Sequence, residues 1–144
     1  MFNQNRIKPL LNEIEFCVTS LEEDPDSANL YYQKACALLK LYLINNDVSR
    51  LNQALSDCNK AVKLDPLNPL YLIDRANLYV KTAQTSLEVE KHLKLANEDI
   101  EKVNNLTAYA KISELYIRDT LNSLIKEIDD IKNQKSQLEF KKPQ

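Results

Sequence analysis

Glycine and tryptophan are both absent from this 144-residue chain, and histidine occurs once. The missing glycine excludes the phosphate-cradling loops of P-loop and dinucleotide-binding enzymes, whose close backbone approach leaves no room for a Cβ. It also disfavours a hairpin-rich β protein, which uses glycine in its primed turns. The lone His92 and three cysteines without Cys-x-x-Cys spacing (Cys17, Cys36, Cys58) supply neither a metal set nor a His-based catalytic arrangement. No cofactor is therefore expected. No apolar run reaches the roughly 18 residues that mark a membrane span, and MFNQNRIKPL lacks the apolar core and cleavage site of a signal peptide. A formal net charge of −2 gives no electrostatic case for nucleic acid or an anionic membrane. An odd number of cysteines fits reduced thiols, so the expected compartment is cytoplasmic.

What is present is ordinary for a soluble single domain: 44% apolar and 28% charged residues. The apolar residues recur at helical spacing throughout. Residues 10–23 carry Leu10, Ile14, Cys17, Val18 and Leu21 on one side, with Pro9 suited to the first turn. Asp24-Pro25 stops this helix, and Asp26 or Ser27 can cap the next, over about Ala28 to Ile44. Asn45-Asn46-Asp47 breaks the chain, because Asn tolerates the left-handed conformation that Gly would otherwise supply. A third helix is expected from Ser49 to Leu64, and a fourth from Pro69 to Ala83 with Asn68 as its cap. Thr85-Ser-Leu-Glu88 has the form of a capping box for a fifth helix ending near Asn104. Residues 108–139 read as one long helix or one broken near Asp119–Thr120. Short connectors favour antiparallel neighbours.

Two segments repeat. Asp24-Pro25 followed by SANLYYQKACALL recurs 41 residues later as Asp65-Pro66 followed by NPLYLIDRANLYV. Residues 51–64 and 93–106 share five of fourteen positions, where composition alone gives about one. A period in this range marks stacked helical hairpins that share one elongated core.

The spacing within each unit resembles the tetratricopeptide repeat family. In the first unit the matching positions are Tyr31, Ala35 and Leu38, then Ala54, Ala61 and Pro66; in the second, Leu72, Ala76 and Tyr79, then Ala96 and Val103. Each unit exceeds the family's length by seven or eight residues, and Ala replaces its glycine, so longer first helices and longer loops inside the hairpins are expected. The resemblance implies an all-α, right-handed α-solenoid of antiparallel hairpins. Its parts are a leading partial repeat (10–25), repeats at 26–66 and 67–106, and a C-terminal capping helix (107–140). It also implies that the first helix of each hairpin lines a concave groove for a peptide or partner helix. Those positions are Asn29, Tyr32, Gln33 and Cys36, then Leu70, Ile73, Asp74 and Asn77. Aligning ISELYI (112–117) with RANLYV (75–80) adds Thr107, Ala110, Lys111, Glu114 and Arg118. Family members that clamp chaperone carboxylate tails use Lys and Asn where Tyr32 and Cys36 stand here, so that activity is not expected. The function implied is protein–protein interaction, as adaptor, scaffold or chaperone, and not catalysis.

Asp57 and Asp99 recur at equivalent places, and Arg75-Ala76 matches the family's pattern, so the resemblance implies an Asp57–Arg75 ion pair between adjacent hairpins. His92, on an acidic helix, reads as a solvated surface residue. Leu121, Leu124, Ile128, Ile131 and Leu138 follow 3-4 spacing, interrupted by Lys135, and need cover beyond residue 120. That stripe makes a structural subunit that assembles as a homodimer or on a docked partner helix the alternative to the groove; the resemblance implies a second alternative, a small secretion-type chaperone, since such proteins can be short arrays of this family.

Overall fold

The computed structural model describes residues 2–107 and 114–140, with side chains over 4–106 and 117–138. Among the described residues there are six α-helices and no strand: α1 (Phe2–Glu23), α2 (Ala28–Asn45), α3 (Val48–Leu64), α4 (Pro69–Thr85), α5 (Val89–Thr107) and α6 (Glu114–Phe140). α2 with α3 and α4 with α5 are the most extensive packings, and α1 lies on α2. The chain is all-α, built of neighbouring helical hairpins.

Local chemistry sets most of the helix ends. The Ser27 hydroxyl accepts the Leu30 N–H at 3.3 Å and starts α2. Asn46 ends it in the left-handed region at φ 57°, with its N–H returning to the Tyr42 carbonyl, a conformation that a β-branched residue would hold only under strain. The Asp47 carboxylate then caps α3, and Asn68 caps α4 through the N–H groups of Leu70 and Tyr71, with Pro69 at the first helical position. The expected capping box at Thr85 is not formed. α4 runs through Thr85, whose hydroxyl donates to the Thr82 carbonyl, and Ser86 accepts the Glu88 N–H instead.

Two boundaries differ from expectation. α1 begins at Phe2, which places Pro9 inside the helix instead of in its first turn. Proline deletes one N–H there, in a solvent-facing stretch where water can satisfy the freed carbonyl. The hairpin loops are also short: two residues separate α2 from α3, and three separate α4 from α5. The extra residues of each repeat lengthen the helices, which gain a hydrogen bond per residue added.

The repeat is visible in the burial pattern. Leu51, Ala54, Cys58 and Ala61 on α3, and Leu93, Ala96, Ile100 and Val103 on α5, are all buried. Ala35 shares a buried cluster with Ala54, and Ala76 shares another with Ala96. Small residues at these positions let the paired backbones approach closely.

α6 breaks the pattern. It packs chiefly on α4 and only lightly on α5, and it is continuous through Asp119–Thr120. Ile117, Leu121, Leu124 and Ile128 enter the same buried cluster as Leu72, Ile73, Ala76 and Val80, with Ile131 packed against it. The stripe expected to seek a partner is thus covered within the chain, and of its members only Leu138 is exposed. Lys135, which interrupts the stripe, pairs with Glu90 of α5 at 2.6 Å.

Candidate functional site

The first helices of the two hairpins, α2 and α4, meet through Tyr32. Its ring centroid lies 4.7 Å from that of Tyr71, and its hydroxyl donates a short hydrogen bond to Oδ2 of Asp74. Cys36, one turn beyond Tyr32, is half-buried beside the same pair. Tyr32, Cys36 and Asp74, all expected on the groove face, are therefore gathered at one place. Asn77 sits one turn from Asp74 on α4 and is also half-buried. Gln33 is half-buried, and its side-chain oxygen faces the Cys17 thiol at 3.9 Å. Asn29 is exposed and Leu70 half-buried.

One expected groove residue is closed off. Ile73 is fully buried, in the cluster that α6 joins. Lys81 of α4 lies 3.8 Å from Glu127 of α6, so the C-terminal helix occupies part of the α4 face. Arg118 is exposed on α6. Lys111 and Ala110 lie outside the described residues, as do the side chains of Thr107 and Glu114.

The electrostatics of the gathered cluster follow from burial. Asp74 is held above the ordinary carboxylate range by desolvation, which the hydrogen bond from Tyr32 only partly offsets. Tyr32 is pushed well above the usual phenol range by burial and by the Asp74 carboxylate, so the proton stays on the phenol. Burial raises all three free thiols, Cys17, Cys36 and Cys58, so none is an activated thiolate. A raised folded pKa means that ionising Asp74 costs stability. Its contribution is complete below the unfolded carboxylate pKa and is lost as pH rises through the folded value. Asp74→Asn, whose amide oxygen still accepts from Tyr32, is expected to raise the urea midpoint modestly at neutral pH, because it removes a charge that burial disfavours. Urea unfolding of both proteins at pH 7.5 and pH 4.5 checks this: the variant's advantage should shrink toward the acidic end.

The expected Asp57–Arg75 pair is replaced by two pairs inside the hairpins. Arg75 grips Asp99 with Nη2–Oδ1 at 2.6 Å and Nε–Oδ2 at 2.8 Å, while Lys34 approaches Asp57 at 3.4 Å. In each unit the cation immediately precedes the small alanine of the first helix, and the aspartate lies three residues after that of the second. Antiparallel backbones held close by those alanines bring the two into register. The link from Arg75 to the preceding hairpin goes to the Asn59 side-chain oxygen at 3.3 Å, which also accepts from Tyr79.

His92 is partly covered, with its ring 6.4 Å from that of Tyr79 and Nδ1 2.8 Å from the Glu88 carbonyl oxygen. Among the described residues no group of three or more His, Cys, Asp or Glu side chains could hold a metal ion, and no helix is long and apolar enough to cross a membrane.

One concavity escaped the sequence reading. Because α6 leans on α4, a cleft of about 560 Å³ opens between α5 and the far end of α6. Val89 and Leu93 contribute its apolar surface, and Lys94, Glu98, Lys132 and the Glu90–Lys135 pair line it with both signs of charge. A packing angle created it, and no residue motif announces it. The chain matches no protein-family model and no curated protein.

Proposed function

We propose that this chain is a protein–protein interaction module, a tetratricopeptide-like right-handed solenoid that holds an extended or helical peptide on the face shared by α2 and α4. The observation that carries this reading is the meeting of Tyr32, Cys36 and Asp74, from two successive first helices, at a half-buried polar and aromatic cluster, with Asn77 one turn from Asp74. Such a mixture suits a peptide, with aromatic surface for affinity and a few polar groups for orientation. Adaptor, scaffold and chaperone roles all use this kind of surface. Assembly through the C-terminal helix is the weaker alternative, because Leu121, Leu124 and Ile128 are already buried in the chain's own core.

Site-specific photocrosslinking tests the proposal. A benzophenone side chain placed at Asn29 or Asn77, on the full chain in its native extract, should give the same discrete adduct from both positions. The control position Asn52, exposed on α3, should not give it. Equal labelling from all three positions would end the groove assignment.

A further inference from the structure

Three partly or fully buried aspartates stand on or between the two hairpins, and their partners differ in kind. Asp99 is held by Arg75 and Asp57 by Lys34, so each carries a cation supplied by its own repeat. Asp74 has no such cation: its Oδ2 accepts from the Tyr32 phenol, and no described basic side chain reaches either oxygen. A half-buried carboxylate is costly to desolvate when its charge is not compensated. The repeat shows that this chain can place a cation opposite an aspartate, and it does so at equivalent positions 41 residues apart, Lys34 and Arg75. At Asp74 the carboxylate is left to a neutral donor, on the face where α2 meets α4, with the Tyr32 and Tyr71 rings beside it.

We propose that Asp74, framed by Tyr32, receives an arginine or lysine side chain from the peptide partner. This inference rests on the groove reading above and names the chemistry that the groove selects. Oδ1 accepts no hydrogen bond from the described residues and is not sealed from solvent, and the half-buried Tyr32 ring supplies aromatic surface for the remainder of the cation. Arginine fits best, because it is weakly hydrated, donates from several N–H groups and stacks on aromatic rings. Binding would add the cation that the carboxylate lacks, so the desolvation already present in the free protein favours the complex.

The test uses the full chain and selected peptides. Random peptides displayed on phage and panned on the wild-type chain should converge on one basic residue among apolar neighbours. Fluorescence anisotropy then compares the chosen peptide with a version in which that arginine is citrulline, which keeps the shape and removes the charge. Citrulline is expected to weaken binding to the wild-type chain by about tenfold or more, but less than about twofold to Asp74→Asn. Tyr32→Phe, which keeps the ring and the carboxylate, should retain the citrulline penalty, and the urea unfolding of Asp74→Asn guards against a general loss of its fold. Selection without a basic residue, or an equal citrulline penalty on wild type and Asp74→Asn, overturns the cation site while leaving the groove intact. Recovery of no peptides, or of peptides indifferent to the pair Gln33→Ala and Asn77→Ala, overturns the groove itself and the cation site with it.

Discussion

Arg75→Ala is expected to destabilise the chain by about 3–5 kcal/mol, because it strands a carboxylate that protein surrounds on all sides. Asp99 is 1% exposed, and Arg75 supplies both of its short charge-assisted bonds. The double variant Arg75→Met with Asp99→Leu removes both charges and leaves apolar groups of similar size. It should recover most of the loss, since a buried pair and a well-packed apolar pair are of comparable stability. Urea unfolding of Arg75→Met, Asp99→Leu and the double variant gives the coupling directly. The corresponding Lys34→Ala change should cost far less. Lys34 and Asp57 are 24% and 13% exposed at 3.4 Å, and burial holds Asp57 above the ordinary carboxylate range despite the ammonium. If the two alanine variants prove equally mild, the strong pairing assigned to Arg75 and Asp99 is wrong.

Undocking α6 should have the second large effect. Leu124 and Ile128 are each 3% exposed, in the cluster that includes Leu72, Ile73 and Val80 of α4. A buried Leu or Ile changed to Ala typically costs about 2–5 kcal/mol. The double variant Leu124→Ala with Ile128→Ala would therefore remove an amount of the order of a small domain's whole stability. The expected result is a lowered thermal midpoint or a partly unfolded chain, read by circular dichroism, with Leu138→Ala at the exposed end of the helix as a near-neutral control. Light scattering separates this from the assembly reading. If the full chain is a dimer that the double variant converts to a folded monomer, the stripe serves a partner instead of the core.

Much of this architecture is written locally. Ser27, Asn46, Asp47 and Asn68 act within a turn of their own position, so their roles can be read from the chain. The buried alanines and the leucines around them follow from the period, because equivalent positions in stacked hairpins meet equivalent neighbours. Pro9 misled for a comparable local reason. Proline favours a first turn, but its cost in the interior of an exposed helix is bounded, and the apolar spacing continues upstream through Ile7. The Asp57–Arg75 expectation failed because both residues recur with the period, so sequence spacing alone could not say whether Arg75 turns toward its own hairpin or toward the one before.

Composition and periodicity by themselves determined that the chain is helical, where most helices begin and end, and which small residues let the paired helices close. Those are short-range consequences of backbone chemistry and of hiding one apolar face. Only the tertiary structure decided which aspartate each cation takes, that the C-terminal stripe folds back onto α4, and that Ile73 is covered while Asp74 remains within reach. These depend on the angle at which whole helices cross. That angle is set by the summed packing of residues far apart in the chain, a sum that no single segment contains.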